Sequence, residues 1–442
     1  MTTLRYPANI TKAYLIKLSL PIFLSNLAIP MVGIIDTALM GHLTNEDFLV
    51  ATSLGSSIIL MIFWSFGFLR MGTVGMVSQN LGKGDYREIV YIVLRNLLIA
   101  LCISIILLML FFPIIYIIGF FFQISDDVKI LVEQYILIRL FSSPAELTLY
   151  VLIGFFLGLQ LTNISSIIAV LFSILNILLS IILVTKYNLN ILGVAYGTLI
   201  SAYIVSIFFL VITFFYIKKR FKITPRFKLS IFTKKKVLRL LTINFDIFLR
   251  TVCLTFAFLW INFLSSKINQ EFIAVNTILL HLLTIAAFFL DAYAYSAEGV
   301  IGYTVGKKSE KSFLLTVSNS IQLSFITGLI IGVFYIFFSK DIINLITNLD
   351  IMRYHTYEYL FWLVLLPPIA SICYQLDGIF IGATETKSMR NSTVVSVALY
   401  LLISTIFVDL FGNHGIWMSV VCLMFFRSIT LYLQFGNIIR KF

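Results

Sequence analysis

Charged residues are scarce in this 442-residue chain: only 12% of its residues are Asp, Glu, Lys or Arg, whereas 60% are hydrophobic. A soluble globular protein has about 25% charged residues. So few charges cannot give a largely apolar chain of this length a water-facing surface. The composition therefore excludes an ordinary soluble domain and predicts a polytopic membrane protein.

Cysteine, histidine, proline and glycine are also few, with 4, 4, 8 and 23 residues. The cysteines lie far apart in apolar stretches and no pair has metal-ligand spacing, so we expect no disulfides, no metal site and no cofactor. A membrane enzyme such as an acyl or glycosyl transferase would need a group of polar catalytic side chains at a membrane face. Its only candidates are His42, Asp47 and His414, and the sequence shows no partner residue beside them.

Long apolar stretches fill most of the chain. A helix that spans a bilayer needs about 20 residues. Twelve apolar segments meet this requirement, so we predict an all-α membrane protein with twelve transmembrane helices. The segments are 14–40, 48–79, 89–121, 131–160, 164–185, 190–217, 238–265, 272–305, 313–338, 356–385, 392–410 and 414–438.

The net charge of +12 could indicate nucleic-acid binding, but the distribution of the 32 Lys and Arg residues favours another interpretation. Five lie in loops after odd-numbered segments and five inside segments, whereas 22 lie at the termini and around loops after even-numbered segments. This asymmetry predicts that both termini are cytoplasmic. The ten basic residues from Lys218 to Arg239 thus set topology and can contact anionic lipid, and we expect no nucleic-acid partner.

The two halves of the sequence resemble each other when the chain is shifted by 224 residues. We therefore predict two six-helix lobes, 1–217 and 238–442, joined by a basic cytoplasmic linker at 218–237. Because six is even, the lobes are parallel repeats with pseudo-two-fold symmetry about the membrane normal, an architecture typical of alternating-access transporters. The matched pairs include Gly75 and Gly299, Gly82 and Gly306, Lys83 and Lys307, Pro144 and Pro368, Gly154 and Gly378, and Gly158 and Gly382.

Asp36 is an acidic residue inside the first apolar segment, six residues after Pro30, where the missing N–H predicts a bend. A charge inside the bilayer is costly and therefore indicates a function or a partner. No basic residue lies within reach on its own segment. A carboxylate in such an apolar place can take up and release a proton near neutral pH, as a proton-coupled carrier requires. The alternative is a hydrogen-bonded packing residue.

The second half contains more charges inside its segments. Asp246 and Arg250 are four residues apart on one helix face, so they can pair with each other and fix the structure or a gate. Asp291 and Glu298 also share one face and can line a cleft, or Asp291 can pair with Arg250. Asp377 lies near the cytoplasmic side. These carboxylates predict either a cation site or a self-satisfied salt-bridge network.

Methionine and aromatic residues near these charges could form an adaptable wall for apolar cations. The candidates are Met61, Met71, Tyr293 and Tyr295. Ordinary packing between helices or against lipid is the alternative.

Four stretches of the sequence resemble the DinF (DNA-damage-inducible F) branch of the multidrug and toxic compound extrusion (MATE) family. They are LPIFLSNLAIPMVGIIDTALMGHL (20–43), NFDIFLRT (244–251), IAVNTILLHLLTIAAFFLDAYAYSAEG (273–299) and LDGIFIGATETKSMRNS (376–392). The resemblance covers nearly the whole chain. It implies an antiporter of the bacterial inner membrane that exports amphipathic, often cationic compounds, driven by protons or sodium.

The resemblance also implies roles for individual residues. Asp36 matches the family's titrating carboxylate on the first helix, and Asn176 matches an Asn on the fifth. The Asp that usually follows four residues later is Ser180 here, so coupling rests on Asp36 alone in this lobe or has moved to the second half.

We therefore predict a cation-coupled, most simply proton-coupled, multidrug antiporter with H⁺ or Na⁺ as the coupling ion. Its partners are expected to be small amphipathic substrates and lipid, and the chain is expected to act as a monomer. A lipid-linked precursor flippase is the alternative within the wider superfamily. Such flippases usually have more basic clefts that hold a pyrophosphate, whereas the embedded charges here are mainly acidic.

Overall fold

The computed structural model describes residues 10–43, 46–121, 125–224 and 231–442, and nearly all of these residues are helical. The helices in these ranges are α1 (Lys12–Gly41), α2 (Glu46–Ser65), α3 (Phe68–Lys83), α4 (Tyr86–Met109), α5 (Phe111–Phe121), α6 (Asp126–Phe141), α7 (Ser143–Gly158), α8 (Thr162–Thr185), α9 (Asn190–Arg220), α10 (Lys234–Ile268), α11 (Gln270–Gly306), α12 (Glu310–Ile346), α13 (Asp350–Glu358), α14 (Leu360–Gly382), α15 (Thr386–Phe411), α16 (Asn413–Leu433) and α17 (Gly436–Ile439).

Most of these helices are long and apolar enough to span a membrane. Eleven spans in the described ranges meet this test, with α2 and α3 counted together as one, and the pair α6 and α7 gives a twelfth. The prediction of an all-α membrane protein with twelve transmembrane segments is confirmed. The predicted bend at Pro30 stays a prediction, and α1 is assigned as one helix through this residue.

Polar side chains define where several helices begin. The Asp85 carboxylate accepts a hydrogen bond from the Glu88 backbone N–H at 3.0 Å and caps α4. The Ser125 hydroxyl accepts one from the Val128 N–H at 3.4 Å and caps α6. Such caps satisfy backbone donors that the first helical turn leaves without a partner.

The described residues divide into two compact units. The first unit is Leu24–Leu241, and the second comprises residues up to Phe23 together with Thr242–Phe442. Each has its own apolar core, around Ile59, Ile136 and Val194 in the first unit. Leu282, Leu366 and Trp417 lie in the core of the second. The lobes predicted from the sequence, 1–217 and 238–442, stay a prediction.

Within each unit, glycines let two helices approach closely. A Cβ atom at Gly154 on α7 would lie 2.6 Å from the Arg70 carbonyl oxygen on α3. A Cβ atom at Gly378 on α14 would lie 2.8 Å from the Ala294 carbonyl oxygen on α11. Both members of the second contact follow those of the first by 224 residues. The internal repeat therefore builds the same helix contact in both units.

Candidate ion-coupling site

Asp36 lies on α1 and only 9% of its surface is exposed. Its Oδ1 atom is buried and has no hydrogen-bond partner among the described residues. The Ser180 hydroxyl and the Arg139 guanidinium are the groups that act on this carboxylate. A buried polar atom without a partner is costly, so its presence requires a functional or structural explanation.

Asn176 and Ser180 join α8 to α9 beside this carboxylate. The Asn176 side-chain amide donates to the Thr198 hydroxyl at 2.9 Å, and the Ser180 hydroxyl donates to the Asn176 Oδ1 atom at 3.3 Å. A Cβ atom at Gly197 would lie 2.6 Å from the Ser180 Oγ atom. The structure thus places the three predicted first-half residues, Asp36, Asn176 and Ser180, in one polar cluster where α9 approaches α8 closely.

A buried ion pair that was not predicted from the sequence lies in the same cluster. An Arg139 Nη1 atom lies 2.5 Å from a Glu146 Oε1 atom, and both side chains are 11% exposed. The Ser142 hydroxyl accepts a hydrogen bond from Arg139 at 3.0 Å and donates one to Glu146 at 2.5 Å. Opposite charges seven residues apart in an apolar segment were the signal that could have revealed this pair.

Two aromatic side chains surround the Arg139 guanidinium. It lies 5.5 Å from the centroid of the Phe63 ring on α2, within the range of a cation–π contact. Tyr135 on α6 is buried, and its hydroxyl interacts with Arg139, Asp36 and Glu146. Tyr135 is packed so tightly against α2 that a Cβ atom at Gly55 would lie 2.7 Å from its ring. The cation is therefore held in place by both packing and charge.

The charges of the second unit form two separate networks. Asp377 on α14 pairs with Arg250 on α10 and accepts a hydrogen bond from Arg427 on α16 at 2.5 Å. Asp246 on α10 accepts hydrogen bonds from Arg390 at 2.6 Å and from the Thr386 hydroxyl at 2.9 Å. These carboxylates, unlike Asp36, are held by fixed cations.

The predicted pairing of Asp246 with Arg250 is wrong. The two residues share a face of α10, but Asp246 meets α15 through Arg390, whereas Arg250 meets Asp377 on α14. Partners on neighbouring helices replace the partner one turn away. Glu298 is buried and Asp291 is half-buried, and both have polar partners, so their role in a cleft stays a prediction.

The residues of the predicted adaptable wall lie in different places. In the first unit, Met61 is 47% exposed and Met71 is half-buried. In the second unit, Tyr293 lines a cavity of about 200 Å³ with Phe23 and Phe289, and Tyr295 is half-buried. Their role in substrate binding stays a prediction.

A model of the family described as MatE matches residues 21–182 and 247–411 of this chain. The chain belongs to the MatE family, as its resemblance to MATE proteins implied. It is 32% identical to DNA damage-inducible protein F of Escherichia coli (strain K12), over 94% of this chain and 90% of that protein.

More distant relatives include the probable multidrug resistance protein NorM of Photorhabdus laumondii subsp. laumondii. It is 25% identical over 95% of this chain and 94% of that protein. Among solved structures, an outward-facing multidrug resistance MATE family transporter of the MOP superfamily matches with a TM-score of 0.88 and 17% identity. The match covers 97% of this chain and 96% of that one. At this identity the structural match establishes the fold.

Proposed function

We propose that this protein is a proton-coupled antiporter that exports amphipathic, often cationic compounds by alternating access. The observation that carries the proposal is the buried Asp36 carboxylate, whose Oδ1 atom has no hydrogen-bond partner and which, unlike Asp377, forms no ion pair among the described residues. When ionised, this carboxylate can attract a cationic compound. When it takes up a proton, that attraction ends and the compound is released.

The surroundings of Asp36 favour a proton over sodium as the coupling ion. Hard metal cations require several oxygen ligands. The Asn176 amide oxygen already accepts a hydrogen bond from Ser180, and the Arg139 guanidinium acts on the same carboxylate. Sodium would need further oxygen ligands beside this carboxylate, whereas a proton bonds to a single carboxylate oxygen.

The names of the relatives support small-molecule export as the activity. Two of them are a multidrug resistance protein and a multidrug export protein. Bacterial relatives and the distribution of Lys and Arg support a bacterial inner membrane with both termini in the cytoplasm. We propose that the chain works there as a monomer, with membrane lipid and small amphipathic substrates as its partners.

A lipid-linked precursor flippase receives less support from the buried charges. Such a carrier would need unpaired cations to hold a pyrophosphate. Arg139, Arg250 and Arg427 each have a carboxylate partner. The candidates for a transferase are also held in structural bonds, since His42 contacts the Ala38 carbonyl at 2.7 Å and His414 accepts from Trp362 at 3.0 Å.

Transport by the purified protein in lipid vesicles tests this function, with ethidium as the amphipathic cation. A pH gradient and a sodium gradient are imposed separately, and ethidium efflux is recorded against pH. We call the pH at which pH-driven efflux is half-maximal the pH midpoint. We expect the pH gradient alone to drive efflux, and Asp36→Asn to reduce it to the background of empty vesicles.

The matched control is Asp126→Asn, which neutralises an exposed carboxylate at the start of α6. This variant is expected to transport at the native rate. Native pH-driven efflux by correctly inserted Asp36→Asn protein would overturn the proposal. Efflux driven only by sodium would overturn its choice of ion, and movement of a labelled lipid-linked sugar without ethidium would favour the flippase.

A further inference from the structure

The helix pair α6 and α7 meets at a 46° bend around Ser142. Pro144, near the start of α7, has no N–H and cannot bond to the Leu140 carbonyl. The Ser143 hydroxyl donates to the Leu140 carbonyl at 2.7 Å, and the Ser142 backbone N–H donates to the Arg139 carbonyl at 3.1 Å. The regular backbone ladder is therefore interrupted at Leu140, where a side chain replaces the missing N–H.

A buried ion pair crosses this bend. Arg139 lies in the last turn of α6 and Glu146 in the first turn of α7, and their side chains meet at 2.5 Å. The Ser142 hydroxyl, at the bend itself, contacts both. Any change in the attraction between Arg139 and Glu146 therefore acts directly on the junction of the two helices.

Arg139 also acts on the Asp36 carboxylate, which belongs to α1. The guanidinium that forms a direct ion pair with Glu146 therefore also lies within electrostatic reach of a carboxylate on another helix. Tyr135 interacts with all three groups. The titratable and charged groups that face this cluster are Asp36 on α1, Arg70 on α3, Tyr135 and Arg139 on α6, and Glu146 and Tyr150 on α7.

A proton on Asp36 removes one negative charge from the surroundings of Arg139. Glu146 is then the anion that attracts Arg139, because the neutral Asp36 carboxyl no longer attracts the guanidinium. In a site of low dielectric constant, such a change acts strongly on neighbouring groups.

We propose that Arg139 is a positioning residue that transmits the protonation state of Asp36 to the bend between α6 and α7 through Glu146. Protonation of Asp36 concentrates the attraction of Arg139 on Glu146 and closes the ion pair across the bend. Loss of the proton draws Arg139 towards α1 and loosens that pair. This inference rests on the proposed role of Asp36 in proton coupling and extends it to a movement of two helices.

The pH midpoint of ethidium efflux tests the inference. In Glu146→Gln, Arg139 retains Asp36 as its only anionic partner in the cluster, so the ionised state of Asp36 is favoured. We expect the midpoint to move by about one pH unit to more acidic values, the size of effect that a neighbouring opposite charge produces. Arg139→Gln is expected to move the midpoint in the alkaline direction, whereas Arg139→Lys, which keeps the charge, should stay near the native value.

Two further variants allow a decision even if a charge deletion prevents folding. Ser142→Ala removes the hydroxyl that joins Arg139 to Glu146 but keeps both charges, and it should shift the midpoint in the same direction as Glu146→Gln by a smaller amount. Glu133→Gln neutralises a half-buried carboxylate on the same helix α6, outside the cluster, and should leave the midpoint unchanged.

Hydrogen–deuterium exchange of the segment 139–146 gives a second readout. We expect the protection factor of this segment, which is the intrinsic exchange rate at each pH divided by the measured rate, to rise in the native protein as the pH falls through the midpoint, and to be independent of pH in Asp36→Asn and in Glu146→Gln. The inference would be overturned if the Arg139, Glu146 and Ser142 variants had the same pH midpoint as the native protein and the exchange of segment 139–146 in them still changed with pH as in the native protein. If Arg139 does not transmit the protonation state of Asp36 but the proposed function is right, Asp36→Asn still abolishes pH-driven efflux. If Asp36→Asn transports at the native rate, the proposed function itself is wrong.

Discussion

The two units share a scaffold but differ in where they place their buried charges. Gly158 lies against the Val74 carbonyl of the first unit and Gly382 against the Glu298 carbonyl of the second, at equivalent positions of the repeat. The charges do not follow this equivalence. The position that corresponds to Asp36 is Trp260, which donates a hydrogen bond to Ser404, the equivalent of Ser180, at 3.0 Å. The two halves therefore share close helix contacts at equivalent glycines but differ in the side chains at the positions of Asp36 and Trp260.

The difference between the units indicates two roles for a buried carboxylate. Both carboxylates have one oxygen, Oδ1, without a hydrogen-bond partner among the described residues, but only Asp377 forms ion pairs there, with Arg250 and Arg427. The two guanidiniums on one carboxylate connect α14 with α10 and α16. Such a carboxylate holds helices together, whereas the proposed function requires Asp36 to change its charge.

The largest effect on stability is expected for Asp377→Asn, which would break the second network. It leaves two buried guanidiniums without their carboxylate, and removal of one partner of a buried ion pair costs about 3–5 kcal/mol. Thermal unfolding of the protein in detergent should therefore begin at a clearly lower temperature. Asp350→Asn is the control, because its pair with Arg353 lies at the surface, where such pairs contribute about 0–1 kcal/mol.

Asp36→Asn sharpens this contrast, since it is expected to unfold near the native temperature even though it loses pH-driven efflux. Equal losses of stability in Asp36→Asn and Asp377→Asn would contradict the division into a titrating and a structural carboxylate.

The shared scaffold predicts equal effects at equivalent glycines. Gly154→Ala and Gly378→Ala each place a methyl group against a backbone carbonyl that cannot easily move, and overpacking of this kind costs about 1–3 kcal/mol. Both variants should lower the unfolding temperature by similar amounts. Gly33→Ala is the control, because a Cβ atom there has no neighbour within 4 Å and alanine favours a helix. A loss confined to one of the two variants would show that the contact is not equivalent in the two units.

The fold could be predicted to a large extent because apolar length is a strong signal. Each of the twelve predicted segments contains one helix or a pair of consecutive helices. The division of segment 131–160 at Ser142 was missed, although Pro144 gave a physical reason for it. A proline only shows where a backbone bond is lost, and the resulting angle depends on the helices that pack around it.

The candidate site could be predicted only where a residue is unusual for its surroundings. Asp36 is such a residue, since it is acidic within an apolar segment. The partners of Arg250 and Asp246 could not be predicted, because they lie 127 and 144 residues away in the sequence and meet only through tertiary packing. Arg139 and Glu146 are seven residues apart. They are separated by Pro144, and whether their side chains meet depends on the angle between α6 and α7.

The smallest effects are expected for two variants that compare the hydrogen bond of Trp260 in the second unit with the surroundings of Asp36, its equivalent in the first unit. Trp260→Phe removes one hydrogen bond to Ser404, whose hydroxyl keeps its bond to the Leu401 carbonyl at 3.0 Å. The cost should be about 0.5–1.5 kcal/mol in stability, with no change in the pH midpoint. Ser180→Ala instead removes a hydroxyl that acts on Asp36 and should move the midpoint by about half a pH unit to one unit in the alkaline direction, because one unit corresponds to about 1.4 kcal/mol.

Efflux curves and thermal unfolding of both variants provide the measurement. A midpoint that moves in Trp260→Phe as much as in Ser180→Ala would mean that the second unit takes part in proton coupling at the position equivalent to Asp36. A midpoint that moves only in Ser180→Ala would instead locate the proton-dependent chemistry in the first unit, because the two hydroxyls occupy equivalent positions and differ in the group beside them.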